Sequence, residues 1–174
     1  EQLAGYEIRV SGGDAVGVEA LLAATADLGR RRTDGSHILL IEGEPELLAP
    51  SALELVRAHR IWLGVGPGLV ADPAAAEALR AVARDVPLVL DDPAADPSLA
   101  PLAEAATVLR VRGDGHPTGT LAAAVDRLRG RGQRVLVTGV DSPEDRRRAL
   151  AAGADLVQGA ALMTAERLHG ARVS

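Results

Sequence analysis

The stretch QRVLVTGVDSPEDRRRALAAGADLVQGAALM, residues 133–163, decides the fold, because its pattern predicts a strand, a loop, a helix and a second strand. Ser142 is a typical helix N-cap, Pro143 fits the first helical position, and Gly153 can adopt the left-handed conformation that ends a helix. Apolar runs flank this helix on both sides. They predict two successive parallel strands of one βαβ unit, at 135–140 and 155–159.

The same pattern recurs along the chain. Apolar runs begin near residues 6, 37, 61, 87, 107, 134 and 155, and a helical pattern follows each of the earlier runs. Strands that are apolar on both faces and alternate with helices are typical of a parallel sheet covered by helices. We therefore predict an α/β fold, a TIM-like (β/α) barrel that is shortened or incomplete, with about seven βα units. An open doubly wound sheet is the alternative.

Local signals place the starts of several helices. The apolar spacing in 15–29 predicts the first helix, and Ser51 with Glu54 forms the sequence pattern of a capping box for the second. Two Asp-Pro pairs predict further helix starts, because aspartate caps a helix and proline fits its first position. These pairs are Asp72 with Pro73 and Asp96 with Pro97.

Composition narrows the classes of function. The chain has 174 residues, 47% of them hydrophobic, which suits one core and a single domain over residues 1–174. A net charge of -5 with scattered arginines predicts no nucleic-acid-binding face, and the absence of cysteine excludes disulfides and thiolate zinc sites. No apolar run approaches the roughly 20 residues of a membrane span, so we expect no membrane insertion and a cytoplasmic location. The missing initiator Met suggests a piece of a larger multidomain protein.

Residues 135–158 resemble the C-terminal signature of EAL domains, the bacterial cyclic di-GMP phosphodiesterases, in which AEGVET precedes a helix and a GCD..QG strand. Three further stretches resemble motifs of that family in the same order. GYEIRV at 5–10 resembles the strand of the name motif, LIEGEPELL at 40–48 is similar to VNLSP..L, and VLDDPAADPSL at 89–99 is similar to LALDDFGTGYSSL. The resemblance covers nearly the whole chain at low identity and implies an EAL-type barrel with a place in bacterial signalling.

The resemblance also implies a site. In the family, a bowl of carboxylates at the C-terminal ends of the strands holds two divalent cations, which activate a water for attack on a phosphodiester. Carried over position by position, six side chains of this chain keep the character of a ligand. We assign these six a vestigial ligand-binding role: Glu7, Glu42, Asp91, Asp92, Asp141 and Gln158. We assign no catalytic residue and no resident metal, and expect Mg²⁺ or Mn²⁺ only if the vestigial site still binds.

Four other positions depart from the family. Gly64 and Thr138 stand where glutamates belong, Arg110 occupies the position of a lysine, and Arg112 replaces an aspartate. Arginine does not lose its proton at physiological pH, so Arg110 cannot replace a lysine that acts as a base. We expect these arginines to form ion pairs with the remaining carboxylates. The resemblance therefore implies a pseudoenzyme that has lost its phosphodiesterase activity.

Simpler roles compete for some of these residues. Asp91 and Asp92 at a strand end are common turn chemistry, and the glycine-rich 64–68 (GVGPG) fits a tight strand-to-helix turn better than a nucleotide loop. His116, in the polar loop 113–119, is interpreted as an exposed side chain. The glycines and alanines of 153–161 offer a different function, phosphate binding at a helix N-terminus.

Taken together, these features predict a degenerate EAL-like domain that serves as a regulatory or protein-interaction module in bacterial signalling. Its partners would be other domains of the parent protein or a separate signalling protein. One alternative is a receptor that binds cyclic di-GMP without hydrolysing it, and another is an unrelated phosphate-binding barrel enzyme. The resemblance further implies that the domain can form a homodimer.

Overall fold

The computed structural model describes residues 5–8, 38–114, 118–129 and 132–160. The chain divides into two compact units, Glu1–Thr107 and Val108–Ser174. The predicted first helix at 15–29 and His116 lie outside the described residues. The single domain over residues 1–174 stays a prediction.

In the first unit, four strands pair in chain order, and every pairing is parallel. The strands are β1 (Gly5–Ile8), β2 (Ile38–Glu42), β3 (Ile61–Val65) and β4 (Leu88–Asp91). The α-helices are α1 (Pro50–Ala58), α2 (Pro67–Val70) and α3 (Pro73–Val82), and two 3₁₀ helices span Pro45–Leu48 and Pro97–Leu102.

The core of the first unit is built from alternate positions of its strands. The side chains of Ile41, Ile61, Leu63, Leu88 and Leu90 are fully buried. These positions share one face of the strands because successive side chains point to opposite sides. The helices cover that face with fully buried residues of their own, Val56 and Leu79. The opposite face is therefore the one that can carry polar groups at the strand ends.

The second unit contains three strands, which also pair in parallel. They are β5 (Val108–Arg112), β6 (Arg134–Thr138) and β7 (Leu156–Val157), with helices α4 (Thr118–Arg129) and α5 (Pro143–Ala151) between them. Asp155 joins these elements, because its carboxylate accepts a hydrogen bond from Val135 N (2.8 Å) and another from Arg129 (3.3 Å). Gly153, with φ of 89°, makes the predicted left-handed turn after α5.

All seven predicted strands are present in the described chain, which confirms the strand predictions. Three predicted helix caps are also confirmed. Asp72 accepts a hydrogen bond from Ala74 N, Asp96 from Ser98 N, and Ser142 from Asp145 N. None of the described helices is both long enough and apolar enough to cross a membrane.

The predicted capping box of Ser51 and Glu54 is wrong. Helix α1 begins at Pro50, so Ser51 lies inside the helix, and Ala49 precedes it without a side-chain cap. The physical reason is that proline is pre-organised for the first helical position and moves the start one residue earlier. Most helical segments in the described chain begin in this way. Proline is the first residue of six of them: Pro45, Pro50, Pro67, Pro73, Pro97 and Pro143.

Candidate functional site

Strand register brings candidate residues of the first unit onto one face. Glu42 lies opposite Gly64, and Leu90 lies opposite Val65, so Asp91 follows at the level of Gly66. Residues in register in parallel strands project to the same side, and so do residues two apart on one strand. Glu42 and Asp91 therefore belong to the same face, on the strands that flank β3.

Glu7 belongs to this face by register as well. Its backbone lies opposite Leu40, two residues before Glu42 on the neighbouring strand. The structure does not describe the side chain of Glu7. The role of its carboxylate thus stays a prediction.

The carboxylate of Glu42 lies over Gly64. A Cβ atom placed on Gly64 would be 2.6 Å from Oε2 of Glu42, 3.0 Å from its Cδ and 3.2 Å from its Oε1. Gly64 itself is buried, and its carbonyl accepts a hydrogen bond from Gly43 N at 2.8 Å. Position 64 lacks the glutamate that the EAL resemblance implies, and a glutamate from the neighbouring strand takes up the space beside it.

Asp91 is placed in a similar way on the other side of β3. A Cβ atom on Gly66 would lie 3.1 Å from Oδ2 of Asp91. Gly66 has an extended backbone and precedes Pro67, the first residue of α2. The interpretation of 64–68 as a tight strand-to-helix turn is therefore confirmed.

Asp92 serves the turn that follows β4. Its Oδ1 accepts a hydrogen bond from Ala94 N at 2.8 Å, and its backbone carbonyl accepts from Ala95 N at 3.0 Å and Asp96 N at 3.1 Å. These bonds are those of an aspartate that stabilises a turn, as the simpler of the two interpretations predicts. Asp91 and Asp92, adjacent in sequence, therefore have different surroundings.

In the second unit, Asp141 holds the loop after β6 to the end of β7. Its Oδ1 accepts a hydrogen bond from Ala160 N at 2.8 Å. The neighbouring Gly159 is packed against the backbone of Val140 so closely that a Cβ atom there would overlap it. The carboxylate of Asp141 is therefore hydrogen-bonded to the backbone just after β7.

Gln158 lies beside Thr138 at the end of β7. Its backbone N–H donates to Val137 O at 2.9 Å, and its carbonyl accepts from Val140 N at 3.0 Å. The side-chain oxygen Oε1 is buried, and it has no hydrogen-bond partner among the residues that the structure describes. A buried amide oxygen in this state is an acceptor that an added donor group could satisfy.

Arg112 forms an ion pair with an aspartate outside the six candidate residues. Its side chain is 77% exposed, and Nε donates to Oδ1 of Asp114 at 3.0 Å while Nη2 donates to Oδ2. This hydrogen bonding raises the pKa of Arg112 above its ordinary value. The partner of Arg112 that the structure shows is thus Asp114, which takes its guanidinium fork, and the expected pairing with a retained ligand carboxylate stays a prediction.

Asp114 is a strand-end residue that the sequence analysis did not select. Its carboxylate packs over Gly139, where a Cβ atom would lie 2.8 Å from Oδ1, and Gly139 has a φ of 72°. The preceding residue is fixed as well, since Gly113 N donates to Thr138 O at 2.7 Å. An aspartate between two glycines directly after β5 is the signal that could have identified it.

Arg110 is the buried charged residue in the described part of the chain. It is 8% exposed and lies opposite Leu136, two residues before Arg112 and on the same face of β5. Arg110 has at least one interaction partner. A buried cation of this kind is tolerated only when it is paired, because removing a charge from water costs several kcal/mol.

The described side chains do not assemble a cation site of the family's kind. Divalent hard cations take about six or more oxygen ligands, which carboxylates, carbonyl oxygens and water supply. Among the side chains that the structure describes, which do not include that of Glu7, no group of three or more His, Asp or Glu could hold a metal ion. Two of the carboxylates, Asp92 and Asp141, accept backbone hydrogen bonds instead. A cation-binding role for the six candidate side chains stays a prediction.

Comparison with solved structures identifies the fold. The chain has a TM-score of 0.65 and 20% identity to the EAL domain of Mycobacterium smegmatis DcpA, covering 92% of this chain and 86% of that one. The Xanthomonas citri FimX EAL domain in complex with c-diGMP gives 0.63 and 20%, with 82% and 66% covered. The EAL-like domain protein YdiV gives 0.64 and 14%, with 82% and 68% covered. The chain thus spans about two thirds of the length of the last two.

Parallel strands alternating with helices define an α/β chain of the TIM-like barrel class. Within that class its fold is that of the EAL domains, in a shortened form, as the motifs predicted. At these identities the likeness concerns the fold alone. No protein-family model matches the chain. No curated protein matches it either.

Proposed function

We propose that this chain is a degenerate EAL-type domain without phosphodiesterase activity, which acts as a regulatory or protein-interaction module. Its partners would be other domains of a parent signalling protein or a separate signalling protein. The observation that most supports the proposal is Arg110, a permanent positive charge that is 8% exposed on β5. By resemblance, position 110 corresponds to a lysine of the EAL domains.

Arginine differs from lysine in its acid–base chemistry, and this difference is why Arg110 supports the loss of activity. A guanidinium keeps its proton at all physiological pH values, so it cannot act as a proton acceptor in hydrolysis. It also adds a fixed positive charge close to a strand end where the family chemistry needs divalent cations. The glutamates missing at Gly64 and Thr138, and the carboxylates engaged at Asp92 and Asp141, support the same proposal.

A hydrolysis assay tests this proposal. Purified protein incubated with cyclic di-GMP and Mg²⁺ or Mn²⁺ should give no linear dinucleotide above the level of a protein-free control. The informative variant is Asp91→Asn, because Asp91 is the last residue of β4 and stands at a position where the resemblance implies a metal ligand. Metal-dependent turnover that Asp91→Asn abolishes would disprove the proposal.

A second candidate function is a receptor that binds cyclic di-GMP without turnover. Gln158 favours it, since its buried Oε1 lacks a hydrogen-bond partner in the described chain and could accept one from a ligand. The FimX EAL domain, which has the same fold, is a complex with c-diGMP. Calorimetry should then show binding that Gln158→Leu weakens by roughly tenfold, as expected for one lost hydrogen bond. An absence of heat at high micromolar ligand would count against this candidate.

The phosphate-binding barrel enzyme has less support. The N–H of Ala160, which a phosphate would need near the end of β7, already donates to the carboxylate of Asp141. That carboxylate would also repel an anion at the same place. Phosphate should therefore leave the thermal stability of the protein unchanged, and a rise in the melting temperature with millimolar phosphate would revive this alternative.

A further inference from the structure

Gly64, Gly66 and Gly68 lie at alternate positions around the end of β3. The free space beside the backbone increases from Gly64 to Gly68. A Cβ atom would meet Oε2 of Glu42 at 2.6 Å on Gly64 and Oδ2 of Asp91 at 3.1 Å on Gly66. On Gly68 it would meet nothing within 4 Å. The 2.6 Å distance is shorter than the contacts that real Cβ atoms make, and the 3.1 Å distance is tighter than most of them.

Two of these glycines face the same side of the chain. Side chains two residues apart on an extended strand point the same way and stand about 7 Å apart. Glu42 reaches over Gly64 from β2, and Asp91 reaches over Gly66 from β4. The end of β3 is thus bordered on both sides by carboxylates of its neighbouring strands.

We infer that Gly64 and Gly66 are positioning residues. Because neither has a side chain, the carboxylates of Glu42 and Asp91 can occupy the space above β3. Gly64 is buried within the strand, where a glycine is otherwise unfavourable because it packs no side chain and loses more backbone entropy on folding. Room for Glu42 is a physical reason for a glycine at this position. The acidic group at this point of the sheet is therefore supplied from β2, one strand away from residue 64.

This inference does not depend on the proposed function. It concerns where two side chains lie, and it holds whether or not the domain binds a nucleotide. If a ligand does reach the end of β3, the carboxylate it meets beside residue 64 is that of Glu42. A failed ligand assay and a failed test of the positioning role are therefore distinguishable.

A set of alanine substitutions tests the graded contacts. Gly64→Ala should lower the melting temperature by roughly 5 °C, and Gly66→Ala by less, because its neighbour needs to move only slightly. Gly68→Ala is the matched control, since it lies in α2 with open space around it, and alanine there should leave the melting temperature unchanged or raise it. Equal effects at Gly64 and Gly68 would overturn the inference.

Double variants identify the partner. Glu42→Asp shortens the side chain by one methylene and withdraws its carboxylate, so the Glu42→Asp, Gly64→Ala double variant should recover most of the lost melting temperature. Glu42→Ala combined with Gly64→Ala should recover it too. The inference is overturned if Gly64→Ala costs as much in these backgrounds as in the natural sequence, because the conflict would then lie elsewhere.

A spectroscopic measurement separates positioning from simple packing. In carbon-13 NMR spectra, Gly64→Ala should shift the carboxyl resonance of Glu42, while the carboxyl resonance of the distant Asp72 stays unchanged. An unchanged Glu42 signal would overturn the inference. Should Gly64→Ala fail to fold, folding of the Glu42→Ala, Gly64→Ala double variant supports the inference, and failure of both variants contradicts it.

Discussion

Acidic side chains at the strand ends have different surroundings in the two units, although Asp92 of the first unit stabilises a turn as Asp141 of the second closes a loop. In the first unit, Glu42 and Asp91 reach over glycines of the strand between them. In the second, Asp141 holds a backbone amide, and Asp114 holds Arg112. The comparison shows that one repeated strand–loop–helix pattern can either present carboxylates at a strand end or use them to close loops. The latter use fixes structure and leaves less for ligand chemistry.

The largest effect should come from the buried charge of the second unit. Arg110→Ala removes one partner of a buried interaction and should lower the free energy of unfolding by about 3–5 kcal/mol. Arg112→Ala, on the same strand but 77% exposed, is the control and should change it far less, because exposed ion pairs contribute little. Urea unfolding of both variants measures the difference. Equal losses would mean that the two arginines of β5 do not differ as their burial indicates.

The packing of Gly159 predicts the next largest effect. A Cβ atom there would overlap the backbone of Val140, so Gly159→Ala should destabilise the protein by about 3 kcal/mol. Gly119→Ala, in α4 with nothing within 4 Å, should be neutral or stabilising. Urea unfolding again provides the measurement. A tolerated Gly159→Ala would show that the end of β7 is not held against the preceding loop.

A smaller effect is expected at Asp141. Asp141→Ala leaves Ala160 N without its acceptor and should lower the free energy of unfolding by about 1 kcal/mol. Asp141→Asn keeps an acceptor oxygen and should retain most of the stability, as thermal unfolding can show. If Asp141→Asn lowers the stability as much as Asp141→Ala, the negative charge of Asp141 rather than its hydrogen bond stabilises the protein.

Two capping regions, one in each unit, make a matched comparison in pH dependence. A hydrogen bond from the Ser98 hydroxyl lowers the pKa of Asp96, and one from the Ser142 hydroxyl lowers the pKa of Asp145, which Arg148 lowers further. A carboxyl whose folded-state pKa is depressed stabilises the fold above its unfolded-state pKa. That contribution is lost as the pH falls through the folded-state value.

Ser98→Ala and Ser142→Ala should therefore raise the pKa of Asp96 and Asp145, respectively, towards the ordinary value. Both variants should also show a weaker dependence of stability on pH in the acidic range. The return should be incomplete for both groups, because Ser98 N still donates to Asp96 at 2.9 Å and Arg148 stays 3.2 Å from the carboxylate of Asp145. A carbon-13 NMR titration of the two carboxyl groups provides the measurement, and unchanged pKa values would contradict the assignment of the cause.

Much of the fold could be predicted because its signals are local. Seven apolar runs predict seven strands, and the Asp72 and Ser142 caps act within three residues of their partners. The predicted capping box at Ser51 is not formed, because Pro50 and Ser51 are both typical of a helix start. The helix begins at Pro50, which places Ser51 inside it.

The candidate site was harder to predict, because its contacts join residues far apart in the chain. The approach of Glu42 to Gly64 depends on the register of β2 and β3, and the bond from Ala160 to Asp141 spans 19 residues. Motif resemblance indicated which positions stand at strand ends. It could not indicate which carboxylate would turn towards a neighbouring glycine and which towards a backbone amide.

The prolines that begin six of the helical segments have a consequence for how this fold tolerates change. The residue before a proline is disfavoured in the α region, so none of these helices can readily grow backwards into the loop before it. Each proline thus fixes the residue at which its helical segment begins. A side chain at a strand end can then be replaced without moving the start of the helix that follows.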